Sequence, residues 1–348
     1  MKIKIASMDI TRKCTMRCLH CYNRSGDERC EMEELSDSEL IDILTETLQY
    51  EPEIMCLCGG EPLLRWKAVK EFILKTRAKG ETVQINTVSN GELLTEEIAE
   101  ELMKAGLNCM QISLDGGSPE THDWLRNKKG AFEKAVRALK ILGETRRRLE
   151  IPFQIAVSFC PNKKNISELT KAMEICQSLG VDRFRVQPLM VMGRANDNLS
   201  EYVLSSKEYK NLAKTILASQ DRNILENTSM EAEWVDPIDH LLMEKSEIAC
   251  SIQINASGEL MLSPYIPIVV GNLRKKSLES YMEADYSGLW EHPLFAYLRE
   301  CMITPEKLNL CNEGLPSVGI SEVCFDAAED DCKDKMTEYL CQIRRRNV

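Results

Sequence analysis

No stretch of this chain is apolar for long enough to cross a bilayer as a helix. The N-terminus, MKIKIASMDI, lacks the apolar core and cleavage site of a secretory signal. Neither a membrane span nor export is expected, and the chain is assigned to the cytoplasm. It also lacks an excess of positive charge. Against 44 basic residues stand 55 acidic ones, and the net charge of −11 argues against nucleic acid as an electrostatic partner. The Arg344-Arg345-Arg346 run reads as a solvated end. There is no low-complexity linker and no internal repeat beyond an alternation of strand-like and helix-like segments. What is abundant is cysteine, 15 in 348 residues. In a cytosolic chain this points to metal or redox chemistry rather than a disulfide scaffold.

Three cysteines fall in one run, Cys14-Thr-Met-Arg-Cys18-Leu-His-Cys21-Tyr22, directly after an apolar segment that reads as a strand. Three thiolates on one short loop can hold three irons of a [4Fe–4S] cluster and leave the fourth open to a small molecule. Spacing alone leaves a zinc site open. Zinc, however, usually takes four ligands, and His20, between two of the cysteines, would have to fold back.

From residue 3 to about 190, short segments rich in Ile, Val, Leu or Met alternate with segments of helical period. The strand candidates are 3–9, 53–58, 82–88, 108–114, 153–159 and 182–188. Helices fit between them at 37–49, 65–79, 95–105, 130–146 and 165–179. Ser36-Asp-Ser-Glu39 has the form of a capping box. Gly80, Gly106 and Gly180 fall just past helix ends, where a left-handed residue is wanted. Six βα repeats imply a parallel sheet with helices outside and an active face at the C-terminal strand ends. Near residue 200 the rhythm breaks. Residues 207–220 and 230–245 read as helices, 251–255 and 259–262 as a hairpin around Ala256-Ser257-Gly258, and 277–284 and 289–300 as two further helices.

The strand ends agree with one another. The second ends in Cys58-Gly59-Gly60-Glu61-Pro62, where paired glycines allow close approach of a ligand and Glu61 adds an acceptor. Ser89-Asn90-Gly91 follows the third. The fourth ends in Ile112-Ser113-Leu114-Asp115-Gly116, with Arg126 beyond it, and the sixth in Gln187-Pro188-Leu189. Such a set suits a ligand with ammonium and carboxylate groups, a ribose and a base. Over about residues 5–195 the chain resembles the radical S-adenosylmethionine (SAM) enzymes. The resemblance implies an α/β fold, a partial (β/α)6 TIM-like barrel over residues 1–200 with a smaller α+β C-terminal extension over 201–348. It implies that Cys14, Cys18 and Cys21 hold a [4Fe–4S] cluster whose open iron chelates SAM. It sets Tyr22 and Leu189 near adenine, and Gly59, Gly60 and Glu61 at the methionine amino group. Ser113 and Asp115 fall near ribose and carboxylate, and Arg126 opposite the carboxylate; Ser89, Asn90 and Gln187 complete the set of cofactor contacts.

Three phrases, Ile112-Ser-Leu-Asp-Gly116, Met192-Gly-Arg-Ala195, and Cys250 with Gly258 and Gly271-Asn-Leu273, resemble the branch with a SPASM or Twitch extension. Those extensions normally bind auxiliary clusters. Here Ser263 stands where that pattern has its second cysteine, and Cys301, Cys311, Cys324, Cys332 and Cys341 make no close pair. An auxiliary cluster on Cys250, Cys311 and Cys324 is not favoured, and the extension reads as degenerate. Cys160 follows the fifth strand, where a thiol could donate a hydrogen atom to a substrate radical. The favoured alternative makes it, with Cys56, Cys58, Cys109 and Cys176, a small apolar core residue. The expected function is hydrogen abstraction from a ribosomal peptide or protein, by epimerisation or C–C or thioether crosslinking, served by a flavodoxin- or ferredoxin-type reductant. No leader-binding domain is expected ahead of residue 14, which leaves three alternatives: a separate leader-binding protein as partner, direct binding by the second region, or a non-peptide substrate. The alternatives are a small-molecule enzyme acting on a sugar, heme or quinone precursor, and a cluster- or SAM-binding sensor or inactive partner subunit.

Overall fold

The computed structural model describes residues 3–27, 33–222, 230–235, 250–266, 268–302 and 323–346. At its centre lies one ten-stranded sheet in the order β10-β9-β8-β1-β2-β3-β4-β5-β6-β7. The strands β1 (Ile3–Asp9), β2 (Ile54–Cys58), β3 (Gln84–Ser89), β4 (Cys109–Ser113), β5 (Gln154–Phe159) and β6 (Arg183–Val186) pair in parallel, each with the next. Helices α1 (Asp37–Thr47), α2 (Trp66–Ala78), α3 (Glu96–Ala105), α5 (Ala131–Leu149) and α6 (Leu169–Ser178) connect them. The short helix α4 (Pro119–Arg126) was not foreseen; it starts with proline in its first turn and stops at Asn127, which is left-handed. The capping box forms as expected. Glu39 N donates to Ser36 Oγ at 3.2 Å, and Ser36 N donates to the Glu39 carboxylate at 2.7 Å.

Period-two alternation divides the sheet into two chemically different faces. Met55, Leu57, Ile85, Met110, Ile112, Ile155, Val157, Phe184 and Val186 are buried and join one core with Leu40, Phe72, Leu102 and Leu139 of the helices. Each such side chain stabilises the fold by about 1.5–3 kcal/mol. The intervening residues, among them Cys56, Cys58, Asn86, Gln111, Ser158 and Arg185, lie on the other face and are half-buried. Cys56 and Cys58 thus sit among polar groups, not in the apolar core expected for them, because their register puts them level with Ser7 and Asp9.

The helix expected at 230–245 is corrected by β7 (Glu231–Trp234), which lies parallel to β6. Glu, Ala and Trp compose well into a helix, but Glu231 and Glu233 alternate with Ala232 and Trp234. The register sets Glu233 opposite Arg185, 3.1 Å away, while Ala232 enters the core. Residues 236–245 of that expectation lie outside the described residues. The expected hairpin is present as β8 (Cys250–Ile254) and β9 (Glu259–Met261), followed by β10 (Val269–Asn272). Because β8 pairs in parallel with β1, the hairpin continues the barrel sheet beyond its first strand. Helices at Leu278–Glu283 and Pro293–Met302 approximate the two expected, and a third, Cys332–Arg346, was not foreseen.

Candidate active site

The cysteine loop leaves the end of β1 and is held by four distant parts of the chain. The glycine loop after β2 comes first. Ile10 N donates to Cys58 O, Gly60 N to Thr11 O at 2.7 Å, and Glu61 N to Lys13 O at 2.9 Å. A Cβ on Gly59, whose φ is +131°, would lie 2.5 Å from Thr11 O, and one on Gly60 would lie 2.2 Å from Lys13 O. The close approach that these glycines permit is therefore to the protein's own backbone as it enters Cys14. Glu61 is fully buried and its carboxylate accepts from Leu63 N (3.0 Å), Ser89 Oγ (2.8 Å) and Asn90 N (2.9 Å). Burial raises its pKa, and these three donors work the other way. Glu61 fastens the second strand end to the third.

The loop after β3 supplies the next contact. The Asn90 side chain donates to Thr15 Oγ1 at 3.1 Å and reaches Cys14 Sγ at 3.8 Å. From α4, Leu125 O accepts from Leu19 N, and Arg126 Nη1 lies 3.8 Å from Cys18 Sγ. Arg126 also pairs with Asp115, whose other oxygen accepts from Cys160 N at 2.8 Å. Burial alone would raise the Asp115 pKa, yet Arg126 and the nearby His20 and His122 hold it below the usual carboxylate range. Burial, with Arg126, pushes His20 and His122 down to about 4, so both imidazoles are neutral at pH 7. Arg126 Nε has no partner among the described residues. Ser113 is buried one turn of the pleat before Asp115, level with Ser158 of β5.

The fourth contact comes from the loop after β6, and the residues that make it, Gly193 and Arg194, were not assigned a site role from the sequence. Gly193 has φ +56°, and a Cβ there would lie 2.2 Å from Tyr22 O and 2.5 Å from Cys21 O. Its neighbour Arg194 is buried. Arg194 N donates to Cys21 O, Nε to Cys18 O (2.9 Å), and Nη1 to Ser25 O (3.1 Å) and Asp27 (2.6 Å). The signal was present in Met192-Gly-Arg-Ala195, read there only as a family phrase.

Thus Cys14, Cys18 and Cys21 form one small cluster with Met16 and Ala131. Among the described residues no group of three or more His, Cys, Asp or Glu side chains converges on a single ion. Arg126 and Asn90 each place a donor 3.8 Å from a sulfur, those of Cys18 and Cys14, and donors so placed suit metal-bound thiolates. Burial pushes Cys14 up to about 11 and raises Cys21, so a metal bound by these thiols would displace protons.

The remaining expected residues spread around this centre. Tyr22 adjoins Asp9, Cys58 and Tyr265. The Gln187 amide donates to Tyr265 Oη at 3.3 Å, joining the end of β6 to the segment after β9. Leu189 is buried with Leu125, Ala195 and Leu199, and Cys160 packs against the same apolar group. Burial raises the Cys160 pKa far above the usual thiol range. Of the auxiliary set, Cys250 begins β8 opposite Ile3, at the far end of the strands from the cysteine loop. Cys324 is exposed beside Val269 of β10, and Cys311 lies outside the described residues.

The radical SAM superfamily is matched over residues 8–152, from the end of β1 to just before β5. This likeness supports an enzyme of the radical SAM kind. It is 25% identical to the AdoMet-dependent heme synthase of Methanosarcina barkeri, over 94% of this chain and 93% of that protein. It is 26% identical to the PqqA peptide cyclase of Granulibacter bethesdensis, over 62% of this chain and 54% of that one. Several other relatives are matched over only about half of their length. In fold it is similar to Streptococcus suis SuiB, solved with its precursor peptide SuiA, at a TM-score of 0.66 and 13% identity over 95% of this chain and 76% of SuiB. The barrel with additional C-terminal structure is common to both. Among the described residues no helix is long and apolar enough to cross a membrane.

Proposed function

We propose that this enzyme abstracts hydrogen from an unactivated carbon of a ribosomal peptide or protein, leading to epimerisation or to C–C or thioether crosslinking. The observation that carries the reading is the half-open polar face of the sheet, which reaches the cysteine loop at its C-terminal edge. Gln111, Ser158, Arg185 and Gln187 line one side and the buried Gln253 the other; Arg185 is bonded to Gln111 and Glu233 and Gln187 to Tyr265, and their remaining donors and acceptors can pair with an extended peptide. The fold shared with a protein solved on its precursor peptide supports it.

When bound, the [4Fe–4S] cluster and SAM supply one-electron reductive cleavage and the radical that abstracts hydrogen. The residues of this chain bind, orient and exclude water. Cys14, Cys18 and Cys21 are the cluster ligands in this reading. Arg126 and Asn90 lend positive charge and a dipole to their sulfurs. Glu61 and Arg194 fix the loop from opposite sides, and the Gln187–Tyr265 contact narrows the opening between β6 and the extension. Neutral His20 and His122 leave the Asp115–Arg126 pair as the charged unit beside Cys18. A flavodoxin- or ferredoxin-type protein is the proposed electron source.

One observation favours a second reading, a heme-precursor substrate: the near full-length match to a heme synthase. A porphyrin presents a wide apolar plane, and the polar sheet face offers it little. Anaerobically reconstituted protein with SAM and dithionite separates the two. Peptide chemistry predicts 5′-deoxyadenosine formation stimulated by peptides encoded beside the gene. Stimulation by iron-coproporphyrin instead would replace the first reading with the second. A Cys14→Ala, Cys18→Ala, Cys21→Ala variant should hold no iron; a residual [4Fe–4S] EPR signal would place an auxiliary cluster in the extension and favour oxidative crosslinking.

A further inference from the structure

Where the cysteine loop meets the C-terminal hairpin there is a narrow crevice lined by Asp9, Arg12, Tyr22, Asn23, Gln253, Asn255, Met261 and Pro264. Its base admits one small group. The lining comes from three elements: the last residue of β1, the loop that begins after it, and the hairpin that β8 sets beside β1. In parallel sheets, ligands bind outside the carboxyl ends of the strands, where Asp9 stands.

Two polar atoms at the crevice have no hydrogen-bond partner among the described residues. Asp9 is 8% exposed, and its Oδ1 has no hydrogen-bond partner among the described residues. Arg12 Nη1 is buried and equally unpartnered. The two groups attract one another, yet they form no hydrogen bond. A buried carboxylate oxygen without a donor destabilises the empty protein by the cost of its lost hydration. The neighbours relieve it only in part. The Asn23 side chain hydrogen-bonds Asp9 but leaves its Oδ1 without a partner among the described residues. Asn255 spends its Oδ1 on Ser257 N and Glu259 N and its amide on Glu259. Gln253 makes only a long 3.5 Å contact to Ile254 O.

A group that meets both atoms needs a donor for Asp9 and an acceptor for Arg12. A free anion would satisfy Arg12 but face the Asp9 carboxylate. A free cation would satisfy Asp9 but face the guanidinium. A neutral amide offers an N–H to Asp9 and a C=O to Arg12 from one planar unit. We propose that this crevice is a substrate subsite that takes an amide group, a peptide bond or an Asn or Gln side chain, of a polypeptide lying across the sheet. The assignment deepens the peptide reading above and rests on it.

The test is equilibrium binding of N-acetylglycylglycinamide to reconstituted protein by saturation-transfer NMR, with acetate and methylammonium as controls. The amide is expected to bind and the two ions not. Asp9→Leu should weaken binding at least fivefold while raising the midpoint of thermal unfolding, since the orphaned carboxylate is gone. Asp9→Asn keeps an acceptor of the same shape and should bind within twofold of wild type, which guards against a folding defect. No amide binding to wild type, acetate or methylammonium binding equally well, or an Asp9→Leu variant that binds as wild type does would each overturn the assignment. The two readings fail separately. Amide binding without modification of any peptide removes the peptide function but keeps the subsite. Peptide modification with an unchanged KM in Asp9→Leu removes the subsite but keeps the function.

Discussion

Asp9 gives the pH dependence of stability a specific signature. Burial pushes its pKa from 3.8 up to about 6, against the opposing influence of Asn23 and Arg12; Tyr22 and Cys58 also face it. The folded state thus binds its proton more tightly than the unfolded state does. The Asp9 contribution is fully present below pH 3.8 and is lost as pH rises through about 6. The complete shift, about two pKa units at about 1.4 kcal/mol each, amounts to about 3 kcal/mol. Between pH 5 and pH 8 the same two values yield a loss on the order of 1 kcal/mol. Asp9→Asn cannot titrate and should lose none of it. The assay is anaerobic urea unfolding of both proteins at pH 5, 6, 7 and 8. Glu61, whose pKa is also raised, titrates in both, so the difference between the two curves isolates Asp9. Wild type should be destabilised relative to the variant by on the order of 1 kcal/mol on going from pH 5 to pH 8. Parallel curves, or a divergence of opposite sign, would refute the burial argument and with it the idea that this carboxylate is left unsatisfied.

The other predictions concern what holds the cysteine loop. Arg194→Gln removes the guanidinium contacts to Cys18 O, Ser25 O and Asp27, and should lower unfolding stability by about 3 kcal/mol and reduce iron and sulfide bound per chain. Gly193→Ala sets a methyl group against Tyr22 O at a positive φ; a loss of at least about 2 kcal/mol in urea unfolding is expected, with the same fall in iron. Glu61→Gln turns a donor toward Asn90 N, Ser89 Oγ or Leu63 N, costing about 2 kcal/mol, measurable by the same method.

The barrel was legible in the sequence because its strands and helices have strong periods and its turns have glycine at helix ends. The cysteine loop proposed to hold the cluster was equally legible as a motif, since its three cysteines are adjacent in the chain. The second half was less so for physical reasons. β7 is four residues long and owes its strand state to the pairing of Glu233 with Arg185, a partner 48 positions away. Local propensity favours a helix there, and only the tertiary register overrides it. The same holds for Arg194 and Asp9. Neither makes its decisive contacts with neighbours in sequence: Arg194 meets Cys18, 176 positions back, and the Asp9 crevice needs Gln253 and Met261. Gly59 and Gly60 were recognised as special, but a sequence does not reveal which backbone presses against a glycine. Here it is the chain leading into Cys14.

These contacts explain why so short a loop can serve as a fixed platform. A segment of eight residues from Cys14 to Cys21 has little core of its own; Met16 and Cys18 are its well-buried apolar side chains. Left to itself it would sample many conformations, at a backbone entropy of about 1–2 kcal/mol per residue. Each of the four strand-end segments removes part of that freedom with donors and acceptors that cannot be satisfied elsewhere. The glycine loop fixes its entry, Asn90 and Lys128 its middle, Leu125 the turn, and Gly193-Arg194 its exit. The contacts come from residues 58 to 194, so the loop is ordered only once the parallel sheet is nearly complete. Cluster binding and barrel folding are then linked. Perturbing any one of the four segments should lower iron binding and global stability together, whereas a change confined to the apolar face beneath the helices should affect stability first and iron content only in proportion.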